Sequence, residues 1–231
     1  FHHKKSLLYD NHSQLCHVCI YLAIDGSRYY FQELVRNLSR LDSDLLRGYI
    51  ATHSSGLEIL ASPDVCGGMK ATDPDSISQT LDFLRSEYDY VIVDCCTSLD
   101  ESNLAVVDAS THIYLVSTPE IGAIRDLSRY VDNLSQNDHN IDKIKVVINR
   151  FSTPPAVPLE QIEKAIRLPV AVKLPNTYAE LARSSILGEP INPRQKTEFS
   201  APLLKWTSSL AGSVAAVEEE APKKSLFALW K

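Results

Sequence analysis

Short apolar runs alternate in this chain with stretches whose apolar residues recur at helical spacing, and few folds accept that order. Residues 90–93, Tyr-Val-Ile-Val, are apolar on both faces, as a central strand between two helical layers must be. His112 to Val116 is a second such run, Lys143 to Ile148 a third and Pro169 to Leu174 a fourth, with a shorter strand from Leu57 to Ala61 ahead of them. Between the runs the period changes. Ile77, Leu81 and Leu84 mark one helix, Ile121, Ile124, Leu127, Val131 and Leu134 a second, and Leu159, Ile162 and Ile166 a third. Upstream, Phe31, Leu34, Val35 and Leu38 repeat helically, and Leu41, Leu45, Leu46 and Tyr49 continue past a break near Asp42. Asp73-Pro74 supplies a capping oxygen and a first-turn proline; Thr177 with Glu180 has the spacing of a capping box; Gly188-Glu189-Pro190 stops the helix after it. The order predicts an α/β fold, a mostly parallel sheet with helices on both faces, and no internal repeat.

The chain has 231 residues, 44% of them hydrophobic, enough for one sizeable core. One domain is expected over residues 1–213, followed by an acidic linker and short tail over 214–231. No apolar run approaches the roughly 20 residues of a membrane span. The net charge of −6 disfavours binding duplex DNA over a broad face. Five cysteines, two of them adjacent, suit reduced thiols in a cytoplasmic protein better than a disulfide framework. The chain opens on Phe1, with no visible signal peptide, so a segment upstream is expected. Its 8 glycines are about half the usual share, which sits badly with a Gly-rich phosphate loop inside these residues.

Open parallel sheets bind ligands beyond the carboxyl ends of their strands. Those ends carry Asp94, Thr118-Pro119, Asn149-Arg150 and Pro175-Asn176. Each is also an ordinary turn or cap residue, but four polar ends on one rim suggest a polar ligand. An apolar strand ending in an aspartate, as at Val91-Ile92-Val93-Asp94, is what a Mg²⁺-nucleotide site uses to hold the metal's water shell; it is equally able to cap the next helix. Three other features carry less. Cys66-Gly67-Gly68-Met69-Lys70 lacks the third glycine and the helix of a phosphate cradle, and reads as a surface loop. Cys16-His17-Val18-Cys19 beside His2, His3 and His12 has no second pair at zinc-finger spacing, and its alternation fits a strand. Cys95 and Cys96 read as small buried apolar groups.

Several segments, in their order and spacing, resemble the ParA/MinD superfamily of deviant P-loop ATPases: residues 88–94 (YDYVIVD), 115–120 (LVSTPE) and 147–150 (VINR). Residues 38–46 (LSRLDSDLL), 55–60 (SGLEIL), 168–170 (LPV), 174–176 (LPN) and 188–190 (GEP) are similar to its CpaE/TadZ branch, which helps position and assemble Tad/Flp-type pili. The resemblance covers roughly residues 6 to 210. It implies ATP and Mg²⁺ as cofactors, with Asp94 organising the metal's water, Asp10 in the switch segment, Asn149, Pro175 and Asn176 framing the base, and Arg150 among the cofactor-binding residues. It implies a homodimer, pilus or secretion-assembly proteins as partners and no specific nucleic acid. Where the family's Asp-x-Asp segment has its second carboxylate, this chain has His12, and the Lys-Gly-Gly-x-Gly-Lys loop with its flanking strand and helix is expected upstream of Ser6. Residues 1–231 alone are therefore expected not to hydrolyse nucleotide, and a non-catalytic scaffold or dimerisation module of the same fold is the alternative. Lys223, Lys224, Leu226, Phe227, Leu229 and Trp230 are similar to the C-terminal membrane-targeting helix of MinD-like proteins, implying peripheral contact at the inner membrane or cell pole.

Overall fold

A computed structural model describes residues 4–12, 17–24, 31–62, 72–136, 141–192 and 195–211. Through them run β1 (Ser6–Asn11), α1 (Val18–Tyr21), α2 (Phe31–Arg36), α3 (Ser43–Arg47), β2 (Ala51–Thr52), β3 (Glu58–Leu60), α4 (Pro74–Glu87) and β4 (Tyr90–Cys95). Then come α5 (Glu101–Ala109), β5 (Ile113–Ser117), α6 (Ile121–Gln136), β6 (Ile144–Phe151), α7 (Leu159–Ile166), β7 (Val170–Pro175), α8 (Tyr178–Leu187) and α9 (Ser200–Leu210). The strands form two sheets, ordered β2-β3-β1-β4 and β5-β6-β7. Every pairing is parallel except β2 with β3. The expected α/β class is what the chain adopts.

Side chains alternate across each sheet and so build two helical layers. On one face, Leu7, Tyr9, Val91 and Val93 pack against Phe31, Leu34, Leu46, Ile77, Leu81 and Leu84 from α2, α3 and α4. In the second sheet Val146 and Ile148 meet Ile124, Leu127 and Val131 of α6 and Ile162 and Ile166 of α7. The opposite face is thinner. Leu8 and Ile59 pack on Val18 and Leu22 around α1, while Val147 and Leu174 meet Phe199 and Trp206 around α9. Helix α5 holds the two sheets together: its Ala105 and Val106 belong to the first core, and its Val107 packs with Leu134 and Ile144 of the second.

Under α5 lies the fold's most consequential feature. β4 and β5 are each the outermost strand of their sheet, and among the described residues no strand pairs with the outer edge of either. Both read as central strands in the sequence, and the structure corrects that placement. Ile92 is 52% exposed and Val116 61% exposed, each on the α1/α9 face of its edge strand. Apolar side chains pointing to both faces belong in a sheet interior. The two strands carry an interior composition at an open edge.

Local signals mostly act as their chemistry dictates. Asp73 caps α4 by accepting from the Ser76 N–H at 2.9 Å, and Asp42 caps α3 from Leu45 N–H at 2.7 Å. α8 ends on Gly188 in the left-handed region, φ 64°. Two expectations fail. Cys19 lies in the single-turn α1 rather than a strand, because Val18 turns inward onto Leu8 and Ile59; four alternating residues do not distinguish the two periods, and Cys16 lies outside the described residues. Thr177 and Glu180 form no capping box: Thr177 makes no cap bond, and Glu180 accepts instead from the Thr197 hydroxyl at 2.6 Å, tying α8 to the approach of α9.

Candidate functional site

β1 and β4 run parallel and in register, with Leu8 opposite Ile92 and Asp10 opposite Asp94. In-register parallel neighbours project to the same face about 4.8 Å apart. Two carboxylates 84 positions apart in sequence thus become a pair at the carboxyl ends of adjacent strands, next to the open β4 edge. Their environments differ. Asp10 is completely buried, with Oδ1 accepting from the backbone N–H of His12 at 3.0 Å and facing His12 Nδ1 at 2.8 Å. Its own carbonyl oxygen accepts from the Ser62 hydroxyl at 2.5 Å. Asp94 faces the open edge, and its carboxyl is held above the ordinary carboxylate range, first by desolvation, with the charge of Asp10 adding and His12 opposing.

A polar network supports the pair from the other face. The Tyr9 hydroxyl donates to Asn11 Oδ1, and its ring stacks on Phe31 with centroids 4.2 Å apart. Asn11 Nδ2 donates to Asn103 Oδ1 at 2.8 Å. Asn103, buried near the start of α5, donates from Nδ2 to Ser98 Oγ at 2.8 Å, Cys96 Sγ at 3.1 Å and Asp100 Oδ2 at 3.2 Å. Asp100 also caps α5 by accepting from the Asn103 N–H at 2.9 Å. Hydrogen bonds to Ser98 and to the backbone of Asn103 and Ser102 hold the Asp100 carboxyl below its usual range against the opposing effect of burial. The end of β1 and the loop leaving β4 are therefore one unit. Asn11, Ser98, Asp100 and Asn103 give no sign of this in the sequence, where only the spacing of Asp100 to Asn103 hints at a cap.

The remaining strand-end residues gather on the second sheet. Arg150 follows Asn149 in left-handed backbone (φ 54°), with its N–H donating to Asn149 Oδ1 at 2.9 Å, and its side chain is exposed. Phe151 pairs with Pro175 across β6 and β7, so Asn149, Arg150, Pro175 and Asn176 share one rim. Arg150 also lies near Glu120, whose carboxyl is held below its usual range, chiefly by the Thr118 hydroxyl. Each group lies at the carboxyl ends of its own sheet's strands, and no hydrogen bond among the described residues joins the two. Of the cysteine and histidine cluster, Cys16, His2 and His3 lie outside the described residues, as do Cys66 to Lys70 and the tail from Lys223 to Trp230. Among the described residues no three His, Cys, Asp or Glu side chains gather as metal ligands; Cys95 is exposed and Cys96 half-buried, not the buried apolar pair expected, because they leave β4 at its open edge.

Three layers around mostly parallel strands, with paired carboxylates at the carboxyl ends of two neighbours, make an α/β fold suited to a polar ligand beyond the strand ends. The solved structures it is similar to share that fold: a ParA family ATPase from Chlorobium tepidum TLS (TM-score 0.80, 22% identity, 90% of this chain and 86% of that one) and MinD of Pyrococcus horikoshii OT3, complexed with Mg-ADP (TM-score 0.73, 17% identity, 92% and 86%). In sequence the chain is similar to MinD of Bacillus subtilis, 35% identical over 81 residues, which take in 35% of this chain and 30% of that protein. The matching stretch thus spans about a third of that relative's length. No family model matches the chain. The chain is thus similar to a MinD protein over part of its sequence, and similar in fold to solved ParA and MinD structures. No helix among the described residues is long and apolar enough to cross a membrane.

Proposed function

We propose that this chain is the body of a nucleotide-dependent positioning ATPase, of the CpaE/TadZ kind, that marks the assembly site of a pilus or secretion machine. The observation that carries the proposal is the slot between β4 and β5. Two strands of interior composition have outer edges that no described strand pairs with, α5 packs against both sheets, Ile92 and Val116 are bare, and the carboxylate pair sits at the carboxyl end of β4. A strand seated there would bury both edges, and the loop leaving it would arrive beside Asp94 and Asp10. On this reading the phosphate-binding loop would come from a segment ahead of Ser6, and a helix after it would cover Ile92 and Val116.

The residues fit Mg²⁺ and a nucleotide. Paired carboxylates are hard oxygen donors suited to a hydrated Mg²⁺. Asp94, open to the slot, would hold the metal's water shell, with buried Asp10 fixing the strand end beside it. Asn149, Arg150, Pro175 and Asn176 would frame the base on the far rim. Mg-ATP, when bound, would supply the phosphoanhydride, and two copies of the chain would pair in the nucleotide-bound state. The basic, apolar residues 223–231 would give each copy weak adhesion to anionic lipid, which dimerisation doubles.

ATP turnover by the full-length polypeptide tests the proposal. Asp94→Ala is expected to lower kcat by about 10²-fold or more. Unchanged turnover would remove Asp94 from the site. A wild-type protein that neither binds nor hydrolyses ATP would leave the non-catalytic scaffold in its place. For the tail, co-sedimentation with phosphatidylglycerol-containing vesicles is expected to fall when residues 223–231 are deleted, and equal binding would defeat the membrane contact.

A further inference from the structure

Helices α6 and α7 lie side by side and leave between them an open cleft of about 440 Å³. Ile124 and Ile162, buried members of the second core, form its floor, with Val157 beside them. The Ser128 hydroxyl donates to the Ala165 carbonyl at 3.0 Å and ties one wall to the other, so the cleft stands ready-made. At its rim Ile121, in the first turn of α6, is 82% exposed. The only charged side chains lining the cleft are Arg125 and Arg129. Four positions apart on one helix, they share a face with their Cβ atoms about 6 Å apart. Elsewhere Arg47, Arg85 and Arg167 each pair with an aspartate, Asp44, Asp82 and Asp132 in turn. Arg125 and Arg129 pair with no described residue, in a chain whose net charge is −6. Two uncompensated cations thus border an apolar cleft on an acidic protein.

We propose that this cleft binds one anionic phospholipid of a bilayer surface, with the phosphate on Arg125 and Arg129 and an acyl chain laid over Ile121 and along Ile124 and Ile162. Two guanidinium forks a turn apart offer bidentate donors to phosphate oxygens, and their charge is permanent. The cleft's volume falls within the roughly 300–1,000 Å³ of small-molecule sites, which suits a single hydrocarbon chain. A protein partner fits less well. Stable protein interfaces cover roughly 800 Å² on each side, whereas Ile121 is the one large apolar side chain of this cleft that stands exposed among the described residues. An acidic protein segment would meet the two cations and little apolar area. The contact also supplies what residues 223–231 lack, since a short basic and apolar tail adheres weakly and stable attachment takes two signals. It stands apart from the nucleotide site and does not depend on it.

Two measurements on the full chain test it. In the first, methyl and guanidinium NMR signals are followed as monomeric dihexanoylphosphatidylglycerol is added. Signals of Ile121, Ile124, Arg125 and Arg129 are expected to move together along one saturation curve, and to stay in place with dihexanoylphosphatidylcholine or inorganic phosphate. Equal movement with inorganic phosphate would reduce the cleft to an anion site and overturn the lipid assignment. The second is co-sedimentation with phosphatidylglycerol-containing vesicles. Arg125→Gln with Arg129→Gln is expected to lower the partition coefficient about tenfold, and Arg47→Gln with Arg85→Gln, which removes the same charge elsewhere, less than about twofold. Equal losses from the two pairs would show that net charge, not the cleft, draws the protein to the surface. If the Arg125 and Arg129 variant binds vesicles like wild type, the proposal fails whatever deletion of residues 223–231 does, and the cation pair is left to an acidic protein segment. If that deletion changes nothing while the variant loses binding, the cleft contact stands and the tail contact fails.

Discussion

Replacing Asn103 with alanine should uncouple β1 from the loop after β4, and the cost follows from the contacts. The amide makes two short neutral bonds, one accepted from Asn11 and one donated to Ser98, both at 2.8 Å. Bonds of this kind contribute about 1 kcal/mol each. The donations to Cys96 Sγ at 3.1 Å and Asp100 at 3.2 Å add less, because sulfur is a weak acceptor and Asp100 keeps its bonds from Ser98 Oγ and the Asn103 N–H. Truncation also strands Asn11 Nδ2, whose other contact is Cys95 Sγ at 3.9 Å; the residue is half-buried, so the unsatisfied donor costs about 1 kcal/mol, the low end for such groups. The expected loss is about 3 kcal/mol, read as a lower urea midpoint at unchanged slope. A cycle of Asn11→Ala, Asn103→Ala and the double variant should show coupling of about 1 kcal/mol or more, since the second truncation has no partner left to strand. Strictly additive losses, or a single-variant loss below about 1 kcal/mol, would refute the network as the link between the two strand ends.

Three further outcomes follow from individual positions. Gly188→Ala places a Cβ 2.3 Å from the Cβ of Ala23 at φ +64°, so left-handed strain and a clash combine to about 2–5 kcal/mol; Gly56→Ala, at φ +85° with open space around it, should lose only about 1 kcal/mol, and equal urea midpoints for the two would discount the α1–α8 contact. Asp94→Asn should raise the urea midpoint near neutral pH. Because its folded carboxyl is raised, the folded state favours the protonated form, stability falls as pH climbs through that range, and a lower midpoint for the amide would show the carboxylate is not under strain. Cys95, at the strand edge but with its thiol pushed up to about 11 by desolvation first, should alkylate at pH 8 at least tenfold more slowly in folded than in urea-unfolded protein, as peptide mapping would reveal. Its contribution to stability is present below its ordinary value near 9 and declines as pH rises toward 11.

How far the sequence carried depends on the range of the interaction. The helices at 74–87, 121–136 and 159–166 were legible because apolar periodicity and capping oxygens act within a few residues. Asp94 was legible as a strand-end carboxylate because its strand is a continuous apolar run. Thr177 misled, since the partner that claims Glu180 is Thr197, 17 positions on. Asn103 was silent because its bonding partners include Asn11, 92 positions away.

The amino-acid order alone determined the kind of protein this is: an α/β chain with polar strand ends, made by local spacing that turns one face of each helix onto apolar strands. It did not determine which strands would be neighbours. Tertiary packing placed β1 between β3 and β4, brought Asp10 beside Asp94, turned His12 onto a buried carboxylate and left β4 and β5 open on either side of a slot. Pairing is decided by which helices can cover a sheet at once, here by α5 serving both cores. Periodicity says that a face is buried; only the assembled layers say against what.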